Sequence, residues 1–518
     1  CSKAFTGLAF MHLVKEQNVN LDAPVTDYLP WLKMTFEEEE VPVTLRQFLH
    51  HTSGVPWSSI SKIPQSDAPD ALEQTIKGLV GTELDEKPGK AFNYATINYD
   101  VLALVIEVVS QQSFESYLAE NVLEPLQLNA TTIGVPLDSA KMARGYKIGF
   151  FGAREYDAPA FKGNNAAGYV VTNAEDLARW LQFQMGLIDH ELFELAQQTH
   201  VRDETVPLHN MSSYAGGWNI SLDGKGEIYH SGLNPNFTSF IVFRPEKKLG
   251  IALLANSNSS YTSTIAQKLL KIADGEELTS TFEPGDNGDK LFSSVSIGLG
   301  VYILVVFGLI LFVAYEIVMK KRRFTKVTFR NVLRFFFPIL ILIPFAYGFY
   351  LLPKAVFGFT WEAILVWTPV SFKVLILTIL GAIGISAVSH LLGLSFPDKN
   401  EYKRKAPKIL LMSLISGLAN VVLIILVTNS IGSDVEPEYL AFYFVLTIAV
   451  YLLGRRFVQV SLIYFGRGLV FDLRIQLIDK IFSTSYENFE KIERGKVYTA
   501  FDDDINIIGS STSVIVSM

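Results

Sequence analysis

The sequence holds a single cysteine, Cys1, among 518 residues. One thiol excludes an internal disulfide framework and any cysteine-based zinc site within one chain. Basic residues are in the minority, 44 Lys and Arg against 52 Asp and Glu, and no basic patch is interleaved with aromatics, so no nucleic-acid partner is expected. No G-x-x-x-x-G-K-[ST] occurs, which excludes a phosphate-cradling loop of that kind. The first residues include no Met and no charged stretch followed by an apolar run, so no signal peptide is read there. Instead Phe5, Leu8, Ala9, Leu13 and Val14 follow helical spacing from the outset, and Met518 falls within an unfinished amphipathic segment. Both ends read as truncated. The pair His50-His51 invites a metal reading, but nothing completes a ligand set, so it is taken as a structural loop and no metal is expected.

What the chain has in excess is apolar residues, 49% of the total, and they are unevenly spread. Residues 1–285 are an ordinary globular mixture, whereas long apolar runs dominate from Val295 onward. In the first part, helices are expected at 1–15, at 44–50 with Thr44 as N-cap, from Phe92 through Val108, and at 114–125 and 173–187. From Trp218 the pattern becomes strand-like: 218–221, 228–230, 238–243 and 250–255, with Arg244–Lys248 as a hairpin connection. Helices followed by an antiparallel meander predict an α+β domain.

Six stretches in this part carry a resemblance. They are Ser2-Lys3-Ala4-Phe5-Thr6-Gly7-Leu8-Ala9, Leu49-His50-His51-Thr52-Ser53-Gly54, Pro88-Gly89-x-x-Phe92-x-Tyr94, Ala166-Ala167-Gly168-Tyr169 with Asp176-Leu177-Ala178-Arg179, Gly217-Trp218, and His230-Ser231-Gly232. In order and spacing they resemble the class C β-lactamase and D-Ala-D-Ala-peptidase/esterase family of serine hydrolases. The resemblance implies an α+β β-lactamase/transpeptidase-like domain over residues 1–272, acting through an acyl-enzyme on a peptide or ester.

The family's S-x-x-K motif sets a nucleophilic Ser one helical turn before a Lys, so both side chains share a face. Lys3 matches that Lys, which helps take the hydroxyl proton. In this register the nucleophile is the residue before Cys1. Cys1 itself is two residues from Lys3, about 200° around the helix, and cannot replace it. Tyr94 matches the proton-relaying Tyr of the family's Y-x-N motif, whose third position is here Thr96 instead of Asn. A Thr hydroxyl is shorter and has a single donor, which puts β-lactamase or peptidase activity specifically in doubt. His230-Ser231-Gly232 matches the family's third motif: His230 as donor or partial cation, Gly232 allowing close approach of substrate, and the Leu233 N–H in the oxyanion hole.

Residues 273–290 are acidic and Gly-rich and read as a linker. Spans long enough to cross a bilayer follow near 295–318, 334–353, 371–394, 408–430 and 439–461, forming an all-α polytopic membrane region. Lys320, Lys321, Arg322, Arg323, Lys326, Arg330 and Arg334 crowd the first connection, and Lys399, Lys403, Arg404, Lys405 and Lys408 the third. The second, 354–370, is nearly neutral and the fourth, 431–438, is acidic. Basic connections stay cytoplasmic, which places the hydrolase domain outside a bacterial cell membrane.

Past the fifth span, Leu473-Arg474-x-x-Leu477-x-x-x-Ile481, Phe489-Glu490-x-x-x-x-Gly495 and Asp504-Ile505-Asn506-x-Ile508 continue as helix. With residues from about 405, they resemble the transmembrane domain of ABC exporters of the cyclic-peptide and siderophore type. The resemblance implies three spans over 291–398 and the start of an exporter domain over 399–518, with Asp504 and Asn506 near a coupling helix. It also implies a dimer and a downstream ATPase using ATP and Mg, with no cofactor in these residues themselves. The reading is therefore an extracytoplasmic serine hydrolase fused to a peptide exporter. The alternatives are a catalytically retired hydrolase fold that binds or senses for the transporter, and a membrane-anchored cell-wall peptidase.

Overall fold

The computed structural model describes residues 1–134, 138–209, 211–278, 285–326, 328–357, 359–400, 405–430, 437–491 and 494–507. The chain divides into two compact units, Cys1–Ser293 with Gly358–Lys373, and Ser294–Phe357 with Val374–Met518.

In the first unit, α1 (Ser2–Glu16) is apolar on nearly every side and is buried accordingly, from Ser2 to Met11 without interruption. Its backbone is pressed against a turn: a Cβ on Gly7 would meet the Gly216 carbonyl oxygen at 2.2 Å, and one on Gly217 would meet Ala4 Cα at 2.6 Å. Two glycines therefore fix how deep the first turn of α1 sits. α2 (Leu45–Leu49) is opened by the expected Thr44 cap, which with Gln47 forms a full capping box. α3 (Asn98–Ser110) begins six residues later than the expected Phe92. The reason is a long-range pairing: the Asn93 N–H donates to the His51 carbonyl and the Ala95 N–H to His51 Nδ1, so these donors are taken before a helix can use them. The expected helix at 114–125 is a short α-helix, Phe114–Leu118, continued by a wide turn, Ala119–Leu123. α4 (Ala174–Gln184) is capped by the Asn173 side chain, and α5 (Tyr261–Ala273) follows the sheet.

The sheet is an antiparallel meander of five strands, β1 (Ser212–Tyr214), β2 (Asn219–Ser221), β3 (Ile228–Leu233), β4 (Thr238–Arg244) and β5 (Leu249–Ala255), ordered β5-β4-β3-β2-β1. One face packs on α1 and its neighbours, where Phe5 stacks on Trp180 at 4.0 Å between ring centroids. On the other, Phe240 and Val242 of β4 meet Ala266 and Leu270 of α5. The α+β expectation holds. The expected linker is only partly a linker: residues 279–284 lie outside the described residues, but Asp286 accepts from the Ser260 N–H and buried Asp289 from the N–H groups of Phe150 and Phe151.

The second unit is helical: α6 (Asn287–Val318), α7 (Phe329–Phe357), then, after α8 (Trp361–Trp367), α9 (Val370–Ser395), α10 (Ala406–Ser430) and α11 (Pro437–Phe482). The first residues of α6 and α9, and all of α8, belong to the first unit. Among the described residues four helices are long and apolar enough to cross a membrane: Asn287–Val318, Val370–Ser395, Ala406–Ile424 and Leu440–Phe482. The expected span 334–353 is helical within α7, several of whose side chains lie outside the described residues, and it is not among those four. The expected span 439–461 does not stop there, for α11 runs unbroken over 46 residues. Residues 431–436 of the fourth connection and 508–518 lie outside the described residues, as do Lys403 and Arg404.

Candidate active site

Lys3 is buried in the first turn of α1, at 3% exposure, among Thr96, Ala167, Tyr94 and Tyr99. Its Nζ donates to Thr96 Oγ1 at 2.8 Å and to the Ala167 carbonyl at 2.9 Å, and lies 5.2 Å from the centre of the Tyr94 ring. Tyr94 and Thr96 are carried by the loop that precedes α3. The buried His51 holds that loop by accepting from the Ala95 N–H and by facing Tyr94, ring centres 4.2 Å apart.

The opposite wall is β3. β2 pairs with it only at Asn219↔Tyr229 and Ile220↔Ile228, so His230–Leu233 run past the end of β2 with one edge free. The start of α1 takes that edge: the Cys1 nitrogen is 3.1 Å from His230 Nδ1 and 3.3 Å from the Ser231 carbonyl, and Cys1 Sγ donates to the His230 carbonyl at 3.2 Å. Behind it Ser239 Oγ donates to Cys1 Sγ at 3.2 Å, and a Cβ on Gly232 would strike that same hydroxyl at 2.2 Å. Glycine is needed there for close approach. Ser231 and Leu233 face the open side, Leu233 at 62% exposure.

One cleft is thus lined by Lys3, Tyr94, Thr96, His230, Ser231, Gly232 and Leu233 together. Asp504 and Asn506 belong to the other unit. Asp504 closes a wide helical turn, Ala500–Asp504, and Asn506 Oδ1 accepts from Arg474 at 3.3 Å. Among the described residues no group of three His, Cys, Asp or Glu could hold a metal.

Burial holds the His230 imidazole well below its usual titration range, and Lys3 pushes it the same way. That shift favours the neutral imidazole as a hydrogen-bonding group. Its Nε2 lies 2.9 Å from the hydroxyl of Tyr214. Tyr214 and Tyr99 are buried phenols whose pKa values burial raises. Beneath Lys3, Asp100 is wholly buried, and no atom of its carboxyl closes a hydrogen bond of ordinary geometry. Burial raises its pKa well above the carboxylate range, against the opposing pull of Lys3.

Four members of the site were not read from the sequence as such: Ala167, Ser239, Tyr214 and Asp100. Ala167 had a signal in the Ala-Ala-Gly-Tyr stretch, and Asp100 stands out as a lone acid in the apolar run Tyr99–Ile106. Tyr214 and Ser239 had none, since only the sheet register brings them to β3.

Fold and cleft together define a β-lactamase/transpeptidase-like serine-hydrolase domain followed by apolar helices. The family pattern described as Beta-lactamase matches residues 1–273, and the chain belongs to that family. It is similar to Protein flp of Staphylococcus aureus strain MW2, 30% identical over 391 residues, which covers 74% of this chain and 77% of that protein. That length exceeds the family match, so the likeness runs into the helical part. Penicillin-binding protein 4 of Amycolatopsis lactamdurans is 23% identical over 300 residues, 55% of this chain and 78% of that protein. Among solved structures, the octameric penicillin-binding protein homologue from Pyrococcus abyssi is 28% identical with a TM-score of 0.45, over 53% of this chain. The chain spans 65% of the length of that homologue.

Proposed function

We propose that the first unit hydrolyses an amide or ester of peptide type through an acyl-enzyme whose nucleophile is a Ser directly preceding Cys1. The supporting observation is the seating of Lys3. Its amine is desolvated, lies beneath Tyr94 and is held by two acceptors, one of them the Thr96 hydroxyl that stands in for the family's Asn. Replacing Asn by Thr keeps the lysine's partner and gives up an amide donor toward substrate. The serine hydroxyl attacks the carbonyl carbon and its proton passes to Lys3. Tyr94 relays a proton to the leaving amine or alcohol as the bond to it breaks. Water then cleaves the acyl-enzyme by the reverse relay. His230 holds the β3 edge in place, and the Leu233 N–H shares the developing oxyanion with the nucleophile's own N–H.

The helical unit is read as membrane-spanning with the hydrolase outside, on the strength of the basic connections at 320–334 and 399–408. Its last part is read as the beginning of an ABC-type peptide exporter. The 46-residue α11 followed by the short helices Tyr486–Glu490 and Arg494–Thr499 supports a long cytoplasmic extension that turns near a coupling segment with Asp504 and Asn506. In that reading ATP and Mg act in a separate ATPase domain, and two copies assemble. A Walker A motif further along the parent reading frame is expected, and its absence would sink the exporter half alone.

The hydrolase half is tested on the chain extended upstream by one Ser, purified in nanodiscs and assayed with p-nitrophenyl butyrate and a chromogenic cephalosporin. Turnover of at least one, with a burst of covalent acylation at that Ser and none in an Ala-extended control, is the expected result. Equal rates in the two extensions would overturn it.

A further inference from the structure

The connection between α7 and α9 is not a free loop. Phe359 is buried and stacks on Trp57 with ring centres 5.0 Å apart. Thr360 caps α8 through the Ala363 N–H. Lys147 Nζ donates to the Leu365 carbonyl at 2.9 Å, and Ser371 Oγ donates to Asp289 at 2.6 Å. A Cβ on Gly149 would meet Val370 at 2.7 Å, so the hairpin beside the sheet is glycine where the head of α9 rests on it. Ile364 and Val366 of α8 are buried in the same patch.

Two residues of this connection, Phe359 and Trp367, line the same cleft as Lys3, Tyr94 and His230. Both lie within a few residues of apolar helix. Phe359 follows the end of α7 at Phe357 by two residues, and Trp367 precedes Val370 of α9 by three. At roughly 3.5 Å per residue, Trp367 is on the order of 10 Å of chain from α9, which is long and apolar enough to cross a bilayer. The wall near Trp57, which is 44% exposed, and Leu233 is apolar as well. A cleft for a freely soluble peptide has no need of a wall tied to membrane helices, whereas one end of an amphiphile would find it within reach.

Resting on the hydrolase reading above, we infer that Phe359 and Trp367 form an acyl-chain subsite, and that the substrate is a membrane amphiphile whose head group presents the scissile ester or amide to the Lys3–Tyr94 end of the cleft. The chain of the amphiphile lies along the aromatic wall while the rest of it stays in lipid. Aromatic side chains supply large apolar area there, with the Trp at the level where one end is wet.

The experiment uses the full chain with the upstream Ser in nanodiscs and two probes, p-nitrophenyl butyrate and p-nitrophenyl dodecanoate. The ratio of kcat/KM for dodecanoate over butyrate is expected to fall roughly tenfold in Phe359→Ala and in Trp367→Ala, the equivalent of one to two buried methylenes, through KM. An unchanged ratio in both variants overturns the subsite. A second readout is independent of turnover: a dodecanoyl amide bearing a terminal diazirine, photolysed on the same protein and mapped by mass spectrometry. Adducts on Trp57, Phe359 or Trp367 that excess dodecanoate suppresses support the subsite even if neither ester is hydrolysed, in which case only the hydrolase reading falls. Adducts confined to other helices, with both esters turned over, overturn the subsite and leave the hydrolase standing.

Discussion

The two units solve the problem of apolar surface in opposite ways. In the hydrolase unit the largest apolar side chains, Trp180, Trp218 and Phe5, are at 0–1% exposure, packed against their own chain. In the helical unit Leu304, Val445 and Leu453 stand about 70% exposed on helices whose interior backbone groups pair within the helix. The first arrangement excludes water by folding around a core, and the second leaves apolar faces that only lipid or further protein can cover. The lesson extends to polar groups. Where the core is closed, burial pushes the Asp100 carboxyl up and Lys3 is held by the Thr96 hydroxyl and the Ala167 carbonyl, whereas on α11 the basic Arg455 meets the Tyr451 hydroxyl of its own helix.

The sharpest way to break the comparison is at Lys3. Lys3→Ala in the Ser-extended chain should lower turnover on the order of a thousandfold, the scale of a lost general base, without altering incorporation into nanodiscs. Loss of incorporation alongside activity would mean that the two units are not separately determined. The membrane side is sharpened by impermeant maleimide labelling in a Cys1→Ser background. Asn20→Cys on the exposed surface of the hydrolase unit should label from outside intact cells, and Ser485→Cys just past α11 only after permeabilisation. The reverse pattern would invert the orientation.

The smallest effect concerns Asp100. Burial raises its folded pKa, so the folded protein keeps a proton that the unfolded chain releases above about pH 4. Its contribution to stability is therefore fully present below the unfolded pKa and lost as pH rises toward the folded one. Asp100→Asn, which mimics the protonated acid, should raise the unfolding midpoint of the hydrolase unit by roughly 2–4 °C at pH 7 and leave it unchanged near pH 4, followed by tryptophan fluorescence. Destabilisation at pH 7 would show that Asp100 is ionised beside Lys3 in the folded protein.

Much of the site was legible because its parts lie in short local patterns. Lys3, Tyr94 and His230 each stand in a stretch that resembles a family motif, and the three line one cleft; the Thr44 cap is visible in four residues. The late start of α3 was not legible, because it depends on His51, more than forty residues away, removing donors from Asn93 and Ala95. Nor was the role of the α7–α9 connection, whose near-neutral composition reads as an ordinary outer loop.

Periodicity, turn residues and charge asymmetry are properties of neighbours along the chain, so the sequence by itself determined the element order and the division into a globular and an apolar half, while the cleft residues were legible through their resemblance to family motifs. Only the tertiary structure decided that β3 outruns β2 and offers its edge to Cys1, that Asp100 is buried within the field of Lys3, and that Phe359 and Trp367 line the same cleft. Each of those depends on strand register or on close packing between segments dozens to hundreds of residues apart, and no local pattern encodes such a meeting.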